Sequence, residues 1–150
     1  MTSVRELTDL PAPDANISSG VLLWAGDTES AFVYECGVSP AIKYCAVLFT
    51  GCRWCTAGGP NDEALHRHPL YEFGLKHYTC HEVVDSPTLP RLSTMLDRDG
   101  NPHRLHQCRH FVFALKETTA EFVAHSYRML GVDDTRASAI ARAMKAVCPT

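Results

Sequence analysis

From residue 20 onward, polar and apolar positions fall mostly into a two-residue rhythm, the spacing at which side chains alternate across a β-strand. Val21–Ala25 is apolar, Gly26-Asp27-Thr28 carries turn residues, and Ala31–Cys36 is rich in strand formers; together they predict two strands joined as a hairpin. Pro40 interrupts, and Ile42–Thr50 follows as a third strand. It sets Lys43, Cys45, Val47 and Phe49 on one face and Tyr44, Ala46, Leu48 and Thr50 on the other. Both faces are largely apolar, which places this strand inside a sheet. Leu75–Val84 alternates as well. The clearest pair is His110–Lys116 and Glu121–Met129, an antiparallel hairpin turned by Glu117–Ala120. Phe111, Phe113 and Leu115 alternate there with Val112 and Ala114, while Phe122, Ala124 and Ser126 alternate with Glu121, Val123 and His125.

The period changes at the end of the chain. Asp133 or Asp134 is a natural N-cap, and Ala137, Ile140, Ala141, Met144 and Val147 then keep helical spacing. Residues 134–147 are expected to pack Ile140, Met144 and Val147 on the sheet. Residues 1–19 read as an arm, because Pro11 and Pro13 break any helix begun at Ser3–Leu10. Residues 85–107, with Pro87, Pro90, Asp99-Gly100 and Pro102, read as a long connection with helical turns at Leu89–Leu96. The expected fold class is α+β. It has an antiparallel sheet of about five strands, a C-terminal helix and a long central loop region, in one domain over residues 20–150.

Composition narrows the function classes. A chain of 150 residues builds one core without staples. Its net charge of -3, with no cluster of Lys and Arg, argues against nucleic-acid binding, which needs a basic stripe that displaces counterions from phosphate. The start, MTSVRELTDLPAPDAN, lacks the basic and apolar regions of a signal peptide. No apolar run approaches the roughly 20 residues that span a bilayer. A cytoplasmic protein with no membrane partner is expected, and its thiols should be reduced there. Seven cysteines, an odd number, also fit a complete disulfide framework poorly. Cys36, Cys45 and Cys148 read as small buried hydrophobes. Oligomeric state is left open.

Chemically capable residues gather between Thr50 and Glu82, which hold three of the seven cysteines and four of the eight histidines. Cys52-x-x-Cys55 is half of a zinc site, since two thiolates supply two of four ligands. His66-x-His68, Cys80-His81, or the group His103, His106, Cys108 and His110 could complete it, although none reproduces a known second half. No cofactor is the leading expectation and zinc at Cys52 and Cys55 the alternative, while the histidines and acids discussed next are also the parts of a metal site. A redox dithiol usually opens a helix, and Thr56-Ala57-Gly58-Gly59-Pro60 is no helix start. The simplest reading is two thiols beside Trp54 at the end of a buried strand.

Asp62, Glu63, His68, His110 and Glu121 are the candidate catalytic set, because carboxylates beside imidazoles are the parts of acid–base chemistry near neutral pH. The loop after the central strand and the start of the hairpin can reach the same end of a small sheet. Asp62 or Glu63 should then line one pocket with His68 and His110, with Glu121 at its edge. Asn61, Trp54, Tyr71 and Tyr78 would form the substrate-binding walls. One imidazole would move the proton and a carboxylate would fix its tautomer. The serine-hydrolase elbow, the P-loop and the dinucleotide fingerprint are absent from the sequence. The expected function is a small cytosolic enzyme performing acid–base, thiol-assisted if Cys52 or Cys55 joins, chemistry on a small-molecule substrate, of lyase, isomerase or hydrolase type. The alternatives are a protein with a structural Cys/His zinc site and a non-enzymatic module that binds a ligand or a protein.

Two blocks carry a resemblance. Pro60-Asn61-Asp62-Glu63-Ala64-Leu65, His68-Pro69-Leu70-Tyr71, Gly74-Leu75, Tyr78 and Glu82-Val83 form the first. Arg109-His110-Phe111 with Thr119, Glu121 and Ala124 form the second. Together they span about half the chain and resemble the pattern of a group of small uncharacterised bacterial proteins. That group has no established activity, so the resemblance implies only that Asn61, Asp62, Glu63, His68, His110 and Glu121 are positions of interest. The chain departs from the pattern at Lys116-Glu117, where a His-Asp pair belongs, and Cys52 and Cys55 lie outside the pattern.

Overall fold

The structure, a computed structural model, describes residues 1–16, 20–38, 41–96 and 105–148. Within them the strands are β1 (Ser3–Glu6), β2 (Leu22–Ala25), β3 (Glu29–Val38), β4 (Ala41–Thr50), β5 (Trp54–Gly58), β6 (Thr79–Val84), β7 (Arg109–Ala114), β8 (Thr119–Ala124) and β9 (Ser126–Asp133). Helices α1 (Thr88–Leu96) and α2 (Arg136–Val147) complete the regular elements. The strands form two antiparallel sheets, a five-stranded one in the order β1-β6-β7-β8-β5 and a four-stranded one in the order β2-β3-β4-β9. The fold is α+β with a C-terminal helix, as the alternation and the final helical period predict.

The second sheet arises because strands turn corners between layers. The predicted strand Glu121–Met129 is two strands, β8 in one sheet and β9 in the other, parted at His125. The chain makes the same crossing from β4 to β5 through Gly51. These corners touch: His125 N–H donates to Thr50 O at 3.0 Å. Gly51 has φ +63°, and a Cβ there would lie 2.5 Å from His125 Nδ1, so only glycine fits. β5 itself lies in what the sequence reads as loop. Its five residues pair with β8 across Trp54↔Val123 to Gly58↔Thr119.

The two sheets face each other across an aromatic core. Phe32, Tyr34 and Phe49 from one sheet meet Phe111, Phe113 and Phe122 from the other, all essentially without solvent exposure. Phe49 and Phe122 stack with ring centroids 3.9 Å apart and planes within 6°. Each such ring contributes about 1.5–3 kcal/mol by leaving water. Residues 1–16 pack on this body: β1 pairs with the edge strand β6, and Leu7 and Leu10 are buried in the core. Glu82 on β6 holds Arg5 of β1 on one side and Arg109 of β7 on the other.

α2 covers the outer face of the four-stranded sheet. Ala139 and Ala143 are its fully buried residues, seated on Ala31, Val33 and Ala46. The expected stripe is therefore rotated: Ala137 and Ala141 are exposed, and Ile140, Met144 and Val147 are half-buried at the flank. Small side chains let the helix lie closer to the strands than an Ile–Met stripe allows. The N-cap is Thr135, whose hydroxyl accepts from Ser138 N–H, not Asp133 or Asp134. Those two acids pair instead with Arg142 and Lys43. Cys148 caps the far end and is exposed, unlike the buried Cys36 and Cys45.

The outer face of the five-stranded sheet is covered by the central loop region and α1. Leu65, Leu70 and Leu75 pack on Val83, Val112 and Ala114, while Leu92 of α1 joins Leu105 and Cys108 over Val123. This covered face is where the candidate chemistry lies.

Candidate functional site

His110 and Glu121 reach that face by strand alternation. Phe111 on β7 and Phe122 on β8 point into the core, so His110 and Glu121, one position away, point outward. The register pairs His110 with Val123 and Val112 with Glu121, which makes the imidazole and the carboxylate diagonal neighbours. They meet at 2.7 Å between His110 Nε2 and Glu121 Oε2.

His68 arrives from the loop region. Asn61 caps a 3-10 turn over Asp62–Arg67 by accepting from Ala64 N–H. His68 ends the turn, and the buried Leu65 and Leu70 on either side press it onto the sheet. Its Nε2 lies 3.1 Å from Glu121 Oε1, and its Nδ1 accepts from Leu70 N–H at 3.2 Å. A fourth group closes the chain at the other end. Ser86 Oγ lies 2.7 Å from His110 Nδ1 and accepts from Thr88 N–H at 3.1 Å.

The hydrogen-bond inventory assigns the protons. A carboxylate only accepts, so both imidazoles donate to Glu121 through Nε2. The Nδ1 of His68 is left as an acceptor, which is how Leu70 N–H uses it. Ser86 spends a lone pair on Thr88 N–H and, with His110 as the neutral imidazole, donates its hydroxyl proton to His110 Nδ1. The sequence Ser86–His110–Glu121–His68 is thus satisfied at every atom in its chain. Burial raises the Glu121 carboxyl, but the two imidazole donors outweigh it and hold the group down at about 2. Glu121 is therefore ionised at neutral pH, with a side chain still 18% exposed.

That exposure opens on a cavity of about 290 Å³ lined by Trp54, His68, Leu70, Thr88, Arg91 and Glu121. A wider hollow of about 580 Å³ continues from it past the shared Trp54 and Arg91 to Met95. Arg91 is exposed and has no carboxylate partner among the described residues. His110 lies behind the cavity, fully buried.

Of the predicted set, His68, His110 and Glu121 come together and Trp54 forms a wall. Glu121 stands at the centre, between the imidazoles, and not at the edge. Asp62 and Glu63 do not join them. They begin the 3-10 turn that His68 ends, and at about 2 Å of rise per residue that separates them by roughly 12 Å. Asp62 instead accepts from Tyr78 Oη at 2.5 Å and Lys116 Nζ at 3.3 Å, and the Tyr78 hydroxyl chiefly keeps its carboxyl below the usual range. Glu63 is exposed. Tyr78 is engaged by Asp62, Tyr71 stands edge-on to His77 at 6.3 Å, and Asn61 is a cap, so these three expected walls lie elsewhere. Ser86, Thr88 and Arg91 stand outside every candidate set and motif of the sequence. The available signal was Ser86-Pro87 directly before an apolar helical run, a helix-start pattern.

Cys52 and Cys55 border a separate hollow of about 350 Å³, together with Ser30, Asp27, Arg53 and Trp54. Cys52 is buried and Cys55 half-buried, and every cysteine of the chain is a free thiol. The Cys52 thiol, with help from the Ser30 hydroxyl and against burial, holds the Cys55 thiol down at about 6, and Cys52 is pushed up in turn. No group of three or more His, Cys, Asp or Glu among the described residues is placed to hold a metal ion. The described candidates for completing a zinc site point elsewhere. His66 and His106 are exposed, Cys80 faces Tyr34 in the core at 3.6 Å, and His81 takes the Lys76 N–H. His103 lies outside the described residues. The pair alone does not fit a structural zinc site.

The chain matches no protein-family model, no curated protein and no solved structure. No helix among the described residues is long and apolar enough to cross a membrane. What fold and site define together is an α+β protein with a His–Glu–His cluster set in the wall of a cavity.

Proposed function

We propose that the protein is a small cytosolic enzyme that moves a proton on an anionic small molecule held in the cavity above Glu121. The observation that carries this reading is an ionised carboxylate clasped by two buried imidazoles, one of which borders the cavity. His68 is the catalytic base, because it alone of the two imidazoles touches bound substrate. Glu121 holds its Nε2–H and so presents Nδ1, which takes the proton when Leu70 N–H lets go. His110 and Ser86 are positioning residues that fix the second Glu121 oxygen. Arg91, exposed at the mouth and with no carboxylate partner among the described residues, receives the negative group of the substrate, and Trp54 forms the apolar wall.

A second reading, a ligand-binding module, is favoured by one feature: both nitrogens of both imidazoles are already satisfied. One experiment separates the two. Small carboxylates and phosphate esters are incubated with the protein in D₂O and followed by NMR. The enzyme reading expects substrate C–H signals to exchange for deuterium, and expects His68→Ala to slow exchange by about 10²–10⁴-fold. Binding without exchange supports the module instead. If no compound of the panel either binds or exchanges, the anionic substrate class is wrong.

A further inference from the structure

We propose that Cys52 and Cys55 form a dithiol that exchanges with small peptide disulfides bearing carboxylates, of the glutathione disulfide kind. The site is independent of the His–Glu–His cluster and shares only Trp54 with its cavity.

The pair sits at the corner between the sheets. After β4 the chain turns at Gly51, and Cys52 N–H is pinned to Thr28 O at 2.9 Å while Arg53 N–H is pinned to Val123 O at 2.8 Å. Both anchors hold the turn, so the two thiols are presented to one hollow by fixed backbone. Their accessibility differs. Cys52 is 6% exposed and belongs to the core cluster, whereas Cys55 is half-buried on the edge strand β5. The asymmetry assigns roles: Cys55, the more exposed thiol, meets the disulfide first, and Cys52, 6% exposed on the same hollow, resolves it. Ser30 Oγ, 3.8 Å from Cys55 Sγ, is the neighbouring hydroxyl that can donate to a sulfur anion. The hollow of about 350 Å³ suits a peptide-sized ligand. Arg53 and Asp27 at its rim match the carboxylates and the amine of such a ligand. Four of the remaining five thiols lie buried in the core clusters, and Cys148 stands alone at the end of α2.

The exchange balances in two steps. Cys55 sulfur, having given up its proton, attacks one sulfur of the ligand disulfide. The ligand S–S bond breaks, Cys55 carries a mixed disulfide, and one ligand thiolate leaves and takes up the proton. Cys52 sulfur then attacks the Cys55 sulfur, forms the Cys52–Cys55 bond, and releases the second ligand thiolate, which takes up the Cys52 proton. The protein dithiol is oxidised to a disulfide and the ligand disulfide is reduced to two thiols. The reverse reaction restores the dithiol.

The test treats the folded full-length protein with oxidised glutathione, alkylates remaining thiols, and maps the products by mass spectrometry. In the wild type the expected product is the Cys52–Cys55 disulfide with no glutathione on either residue, while Cys148 carries the adduct of any exposed thiol. Cys52→Ser is expected to accumulate glutathione on Cys55. Cys55→Ser is expected to leave Cys52 unmodified, because it is shielded. The proposal is overturned if the wild-type pair stays reduced while Cys148 reacts. It is equally overturned if Cys55 of the wild type keeps its adduct without closing on Cys52, or if Cys52 reacts in Cys55→Ser. The wild-type result decides the matter even if a serine variant fails to fold, which circular dichroism would reveal.

Discussion

Glu121 is the residue on which the site turns, and its physics makes a pH prediction. Its carboxyl sits at about 2 in the folded protein, below the ordinary range near 4.3 of an unfolded chain. A depressed folded value means the ionised form stabilises the fold. That stability is complete above the unfolded value and is lost as pH falls from about 4.5 towards 2. Denaturant titrations across this window should show a decline in the wild type that is shallower in Glu121→Gln. At neutral pH, Glu121→Gln should cost about 1–3 kcal/mol, because its amide N–H₂ must face an imidazole N–H that already donates. The two histidines should separate in the same assay. His110 is fully buried and bonded at both nitrogens, so His110→Ala should lower the melting temperature clearly. His68→Ala should change it less, with its effect falling on ligand exchange. That both imidazoles and the carboxylate are titratable groups able to pair was legible in the sequence. That Glu121 bridges them was not, because bridging depends on strand register and loop placement. Asp62 and Glu63 looked equally fit and were carried away by the length of their own turn.

At the scale of elements, the corners and α2 are decided by contacts between segments far apart in sequence. Gly51→Ala should destabilise the protein by more than the roughly 1 kcal/mol of an ordinary left-handed alanine, since the added carbon also meets the His125 ring. Thermal denaturation compared with Gly58→Ala, where a Cβ meets nothing within 4 Å, checks this. On α2 the buried contacts are Ala139 and Ala143. Ala143→Leu should cost about 1–3 kcal/mol through overpacking. Ile140→Ala should fall short of the about 2–4 kcal/mol of a fully buried aliphatic side chain, because Ile140 is only half-buried. Helical spacing placed the element correctly. A period of 3.6 residues leaves neighbouring stripes close in angle, and an alanine-rich helix offers more than one plausible face.

For the whole molecule, stability rests on the aromatic layer between the sheets and on the N-terminal strand that closes one edge. Phe122→Ala removes a ring stacked on Phe49 and in contact with Phe32 and Phe113, and should cost about 3–5 kcal/mol. Deleting residues 1–10 removes β1, uncovers the edge of β6, and takes Leu7 and Leu10 from the core. Each leucine alone is worth about 1.5–3 kcal/mol. The truncated chain should therefore melt well below the full one, as a calorimetric scan would show.

What the sequence determined by itself is local: alternation named which residues of β3, β4, β7 and β8 share a face, and the helical period placed α2. The tertiary structure alone decided how these strands divide into two sheets, where Glu121 sits between His68 and His110, and that Ser86 and Arg91 stand beside them. The physical reason is range. Periodicity and capping act over a few residues and are written in neighbouring letters. Strand partners, corners and the His68–Glu121 contact, 53 residues apart, are chosen by which packing of the whole chain buries the most apolar surface and leaves the fewest polar groups unpaired.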